Sequence, residues 1–171
     1  MKSLNAIPVI TSGHVQLVTP SYDMLILILS GLRPAKMSFK KQIKKEFRIK
    51  AISSNLCEPW FLLKHYAKRK PSVSFAFGLY DAALVLVGVC SYGRPMSHAL
   101  VSGAMNGDYE DRFLELNRLV VNDGLPPNTL SYFVSQTLSL LPSPCVVVSY
   151  ADTAQNHHGY IYQATNWVYT G

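Results

Sequence analysis

Side chains that could do chemistry crowd into the last part of the chain. The run Ser149-Tyr150-Ala151-Asp152-Thr153 is followed by His157, His158, Gly159, Tyr160, Ile161, Tyr162 and Gln163, and then by Asn166-Trp167-Val168-Tyr169-Thr170-Gly171. The apolar residues Cys145 to Val148 read as a strand whose end presents Asp152. A polar strand end running into a helix is where α/β folds place ligands. Taken singly, each Tyr or Trp is as readily a core-edge residue whose polar tip finds a partner, so the argument rests on the cluster. His157 and His158 share a turn with Gly159. An upstream pair, His65-Tyr66, adds an imidazole and a phenol.

Composition bounds what could hold these groups in place. The chain has 171 residues, 49% hydrophobic and 15% charged, which suits one globular domain with a sizeable core. Cys57, Cys90 and Cys145 are widely spaced in apolar surroundings. They read as buried thiols in a reducing compartment, not as a disulfide framework or a zinc site. The apolar run Met24 to Leu29 is far shorter than the roughly 20 residues of a spanning helix. It also lacks the flanks of a signal peptide, so it is expected to be a buried strand or helix segment of a soluble protein.

Charge is uneven. The formal net charge is +6, and 12 of the 16 Lys and Arg residues fall between Arg33 and Lys70, against Glu46 and Glu58 alone. Such a segment is the footprint of a polyanion binder, because cations that neutralise phosphates release condensed counterions. A solvated helix face is the plainer explanation.

Periodicity orders the elements. Residues 1–46 show no sustained period, contain Pro8, Pro20 and Pro34, and are expected to form a basic N-terminal arm that gains helix near Lys40 to Phe47. A helix capped by Ser53 or Asn55 should run to about Arg69 with Leu56, Trp60, Leu63 and Ala67 on one face and His65 opposite. Val73 to Tyr80 and Ala83 to Ser91 suggest a hairpin around Asp81-Ala82, stopped by Gly93-Arg94-Pro95 and followed by a loop through Asp111. Leu114 to Val121 should be a strand, Asn128 to Leu141 a helix, Cys145 to Tyr150 a strand and Gly159 to Ala164 a short helix.

The order helix, hairpin, strand, helix, strand, helix resembles the acetyltransferase fold of the GNAT superfamily: an α/β (α+β) domain with a mixed central sheet flanked by helices. In that superfamily the segment corresponding to Asn128-Thr129-Leu130-Ser131 would bind the coenzyme A pyrophosphate on helix-terminal amides. Here Asp123, Pro126 and Pro127 replace the basic glycine-rich loop. Two prolines donate no amide hydrogen, so acetyl coenzyme A is not expected to be a tight ligand.

A closer resemblance, over residues 47–171, is to the Mom family of phage DNA-modification proteins, a GNAT-like group. It is carried by His65-Tyr66 with Pro71, Gly88-Val89 with Gly93-Arg94-Pro95, Glu115-Leu116-Asn117-Arg118-Leu119, Asn128-Thr129-Leu130-Ser131 and Ala151-Asp152 to Gly171. The resemblance implies an enzyme that adds a carbamoylmethyl group to adenine N6 in duplex DNA and so shields a phage genome from restriction in the host cytoplasm. Relatives would be expected to continue past the Tyr-x-Gly at the end of this chain. The family also implies a bound iron, for which His65, Tyr66 and Asp152 offer N and O ligands.

On that basis Asp152, His65, Tyr66 and Tyr162 are the expected catalytic residues, since the weakly nucleophilic N6 needs a base or electrostatic anchor. Asn117, Arg118, Ser149, Tyr160, Asn166 and Trp167 are expected to bind substrate, the aromatic groups by stacking on an extruded base and Asn117 or Asn166 by bonding its edge. Lys40, Lys41, Lys44, Lys45, Lys68, Arg69, Lys70 and Arg94 are expected to meet DNA. No membrane partner is expected, and a homodimer is left open. Two other functions compete: a GNAT-type acyl transfer from coenzyme A to a small amine, and a non-catalytic nucleic-acid-binding module.

Overall fold

The computed structural model describes residues 9–11, 14–16, 25–30, 43–103 and 110–169. Its centre is a seven-stranded mixed sheet in the order β4-β5-β6-β7-β8-β3-β9. The strands are β3 (Leu25–Ser30), β4 (Arg48–Ala51), β5 (Phe75–Tyr80), β6 (Leu86–Gly93), β7 (Phe113–Val121), β8 (Cys145–Tyr150) and β9 (Val168–Tyr169). A separate two-stranded ladder joins β1 (Val9–Thr11) to β2 (His14–Gln16). Every pairing in the large sheet is antiparallel except β7 with β8. These two strands are connected through α4 (Thr129–Leu140), the crossover that a parallel pair requires. The α/β class is therefore as the sequence implies. Among the described residues no helix is long and apolar enough to cross a membrane.

Cys145 to Ser149 are all buried, as befits a central strand covered on both faces. Phe133, Val134 and Leu138 of α4 pack on one side of the sheet with Leu79, Tyr92 and Val147. Cys57 and Phe61 cover the other side, against Val89 and Val120. Within the first cluster the buried Tyr92 hydroxyl donates to Thr137 Oγ1 at 2.7 Å, because Thr137 has already given its own hydrogen to the Val134 carbonyl at 2.9 Å.

Several elements differ from expectation. Leu25–Ser30 is a strand of the main sheet, paired with both β8 and β9, although it falls within the residues read as an arm. Ile43 of α1 (Ile43–Glu46) and Phe47 are core residues, so burial continues across the boundary drawn after residue 46. The helix that Ser53 caps is shorter than its pattern suggests. Ser53 Oγ accepts from Asn55 N–H at 3.3 Å and α2 spans Ser54–Pro59, after which a π turn covers Trp60–Lys64. Pro59 has no N–H to give, and the chain widens so that His65 N–H reaches the Trp60 carbonyl at 3.0 Å. The extra residue rotates the apolar stripe: Cys57 and Phe61 face the sheet, while Leu56 and Leu63 are exposed. The loop expected after Pro95 contains α3 (His98–Gly103).

Candidate functional site

The parallel ladder between β7 and β8 covers only Phe113 to Glu115 against Val146 to Val148. Beyond it the strands part, and a side chain spans the opening. Ser149 Oγ–H donates to the Leu116 carbonyl at 2.9 Å and accepts from the Tyr162 hydroxyl at 2.8 Å. A cleft of about 300 Å³ opens at this point, the size of a small-molecule site. It lies just beyond the carboxyl end of the parallel β7–β8 ladder, the side on which open α/β sheets bind ligands.

Four segments form its walls. Beside Gly93, β7 carries a bulge: Ser91 faces Arg118 and Tyr92 faces Leu116, leaving Asn117 as the extra residue. Bulges re-aim side chains next to functional sites, and this one brings Leu116, Asn117, Arg118 and Leu119 to the cleft. Asn117 is held at both ends of its amide, Oδ1 accepting from Ser91 Oγ–H and Nδ2 donating to the Ser72 carbonyl, each at 2.7 Å. It thus clamps the bulge while bordering the cleft, with one Oδ1 lone pair and one Nδ2 hydrogen used in the clamp. Gly93 permits this closeness, since a Cβ there would lie 2.0 Å from the Ser72 oxygen.

The second wall is His65-Tyr66, delivered by the end of the π turn. Their rings stack at 4.3 Å, and Tyr66 meets His157 edge-on at 5.8 Å. His65 Nδ1 accepts the Ala67 N–H at 3.1 Å. In the neutral ring the hydrogen then resides on Nε2, which makes that atom a donor. Burial first, and the positive charges of Arg118, His157 and Arg69 next, push the His65 imidazole down to about 4, so it is neutral at pH 7. The Tyr66 phenol is held above its ordinary value by burial, then by the charge of Asp152 and a hydrogen bond to that carboxylate.

The third wall is the strand end and turn after β8. Asp152 caps the short 3-10 turn Thr153–Gln155 by accepting Ala154 N–H at 3.1 Å. Asn156, in left-handed backbone, and Gly159 then lead His157 and His158 along the rim. Tyr160 opens α5 (Tyr160–Ala164), is 72% exposed and stands edge-on to His158 at 6.2 Å. Tyr162 faces inward, and burial pushes its phenol up to about 12. The fourth wall is the start of α4, represented by Leu130. No side chain caps that terminus; Thr129 N–H bonds the Pro126 carbonyl, Ser131 Oγ–H the Asn128 carbonyl, and the side chains of Thr129 and Ser131 are buried.

The structure thus brings together His65, Tyr66, Asn117, Arg118, Ser149, Tyr160, Tyr162 and Leu130 around one cleft, with the charge of Asp152 felt by Tyr66. Trp167 is buried against Tyr162 at 5.1 Å and is no platform for a base. Asn166 is an exposed turn residue in left-handed backbone. The basic residues separate. Lys68 and Arg69 are exposed just after Tyr66, whereas Lys70 is paired with Glu58 at 2.8 Å. Arg94 is exposed beyond β6. Lys44 is exposed and Lys45 lies with it in α1, which leads into the outermost strand β4, three strands from β7. Lys40 and Lys41 lie outside the described residues.

Iron does not fit the three-residue set drawn from sequence. Nε2 of His65 cannot offer a lone pair while Nδ1 accepts from Ala67, and burial opposes ionisation of the Tyr66 phenol. No group of three or more His, Cys, Asp or Glu able to hold a metal ion is assembled among the described residues. Glu115, passed over in the sequence reading, is half-buried beside Arg118 and Arg69, and burial raises its carboxyl despite a bond from the Met96 backbone. Its place in the Glu115-Leu116-Asn117-Arg118 run was the available signal.

Comparison with known proteins identifies the family. The family model described as the Mom protein family matches residues 46–171, the segment that contributes every wall of the cleft. The methylcarbamoylase mom of Escherichia phage Mu is 28% identical over 147 residues, covering 81% of this chain. The match spans 61% of that protein's length. With the match to the family model extending over most of its length, the chain belongs to the Mom protein family.

Proposed function

We propose that this chain is a phage-type DNA-modification enzyme that transfers a carbamoylmethyl group to N6 of adenine and thereby protects DNA from restriction. The observation that carries the reading is the Tyr66 phenol on the wall of the cleft, with the Asp152 carboxylate near enough to hold that phenol above its ordinary value. In this scheme N6 attacks the carbamoylmethyl carbon of an electrophilic donor, the N–C bond forms, and the donor's leaving group departs. The N6 proton passes to Tyr66 as Tyr66 gives its own to Asp152, a relay that leaves the carboxylic acid half-buried. His65 acts as a donor through Nε2–H instead of as a base, because Ala67 occupies Nδ1. Tyr66 and Tyr160, 48% and 72% exposed on the cleft, supply faces for stacking an extruded base. Arg118 adds a cation to the wall, and Lys68 and Arg69 meet phosphate outside it. The enzyme would work in the cytoplasm of a bacterial host.

The family match and the printed activity of the phage Mu relative support this reading. Mass spectrometry of nucleosides from DNA of cells producing the chain tests it. The expected result is a deoxyadenosine heavier by one carbamoylmethyl group, absent with Asp152→Ala and reduced with Tyr66→Phe. Canonical nucleosides alone, with folded protein present, would refute it and leave binding without chemistry.

A further inference from the structure

The π turn that delivers His65 and Tyr66 to the cleft also carries an apolar projection. Phe61 turns into the sheet, whereas Leu62 is 39% and Leu63 77% exposed. A scattered exposed leucine needs no explanation. These two, however, stand beside the cleft wall. Leu63 is two residues from His65, so their Cα atoms lie within about 8 Å, two trans-peptide steps of roughly 3.8 Å. The turn is also pinned. Lys64 Nζ lies 4.0 Å from the centre of the Trp60 ring and bonds Asn122 Oδ1 at the end of β7, while His65 N–H closes the turn on Trp60. Leu63 is thus held out into solvent by a turn anchored to the sheet. The exposed cations Lys68 and Arg69 follow within six residues.

We propose that Leu63, backed by Leu62, is a wedge that enters the base stack of duplex DNA as the target base leaves it for the cleft. The inference rests on the proposed function and adds the means by which the duplex is opened. A base inside a duplex is out of reach of any side chain in a concave site, and extruding it costs stacking and pairing energy. Proteins that unstack DNA commonly insert an apolar side chain between base steps, which fills the gap and keeps it open. Such a side chain must be exposed, rigidly mounted, near the receiving pocket and accompanied by cations for the neighbouring phosphates. Leu63 meets each requirement. A duplex is the occupant that the neighbouring charge selects, since Lys68 and Arg69 would repel a basic partner and attract a polyanion.

Permanganate oxidation of plasmid DNA bound by the full chain tests the wedge without knowledge of the target sequence, because thymines opposite an extruded adenine become reactive. The wild-type chain should produce hyperreactive thymines. Leu63→Ala, at protein concentrations giving equal occupancy, should lose that reactivity by about tenfold, the scale expected when most of a buried leucine side chain is removed. Leu63→Met, which restores length and apolar surface, should recover it. Leu63 is exposed, so neither change threatens the fold. Unchanged thymine reactivity in Leu63→Ala, or none with the wild type, would overturn the proposal. So would a dimer that dissociates on Leu63→Ala, because the leucines would then face a second copy of the chain. Opened DNA that gains no mass would instead count against the modification reading and leave the wedge standing.

Discussion

Replacing Gly93 by alanine probes the device that shapes the cleft. The added Cβ would lie 2.0 Å from the Ser72 carbonyl oxygen and 2.8 Å from Asn117 Nδ2, and the first of these is backbone that cannot swing aside. Either the 70–74 segment or β6 must move, and the Asn117–Ser72 bond at 2.7 Å breaks as it does. Forcing an extra carbon into such a contact costs about 1–3 kcal/mol. Leaving a partly buried amide and a carbonyl without their shared bond adds about 1 kcal/mol or more. A total near 3 kcal/mol corresponds to a fall in Tm of about 6–12 °C for a domain of this size. Thermal melting followed by circular dichroism reads this directly, with urea titration as a check. Gly103→Ala, where nothing lies within 4 Å of the new Cβ, serves as the control and should melt like the wild type. Because Asn117 sits in the bulge, Gly93→Ala and Asn117→Ala should be less than additive in combination. If Gly93→Ala melts within a degree or two of the control, the clamp does not hold the bulge and the reasoning about the cleft wall fails.

Two further changes read single interactions. Tyr92→Phe removes a donor from a fully buried pair whose acceptor, Thr137, has no hydrogen left to give elsewhere, so it should cost about 1 kcal/mol in urea titration; a neutral result would mean the hydroxyl contributes nothing net. His65 should titrate near 4 when its ring protons are followed by NMR, against about 6.5 unfolded. As pH falls through that window the unfolded chain takes up the proton first, so stability should decline from about pH 6.5 towards 4, and His65→Gln should flatten that decline. A His65 resonance titrating above 6.5 would contradict the buried, cation-flanked setting.

Local pattern carried much of this protein. The hairpin of β5 and β6 follows from two strand-like runs around Asp81, whose carboxylate bonds Val85 N–H in the observed turn. The helix after Asn128 and the buried strand Cys145 to Tyr150 were equally legible, since 3.6-residue spacing and a continuous apolar run are properties of a segment by itself. The nearness of Asp152 and Tyr162 was legible too, because both follow closely after the strand Cys145 to Tyr150, whereas Tyr66 reaches them from a π turn that the pattern did not show. What only the tertiary structure decided were the relations between segments. Leu25–Ser30 becomes part of the sheet through pairing with β8 and β9, partners more than a hundred residues away. Asn117 and Asn166 look alike in sequence, yet one is clamped between Ser72 and Ser91 and the other lies on an exposed turn. Trp167 is buried where a stacking platform was expected, and Leu63 is exposed where a core stripe was expected. The physical reason is common to all four. Periodicity tells which face of an element is apolar, whereas a bulge, a π turn or a side chain's hydrogen-bond partner is set by atoms distant in sequence, and these determine which polar groups remain free for chemistry.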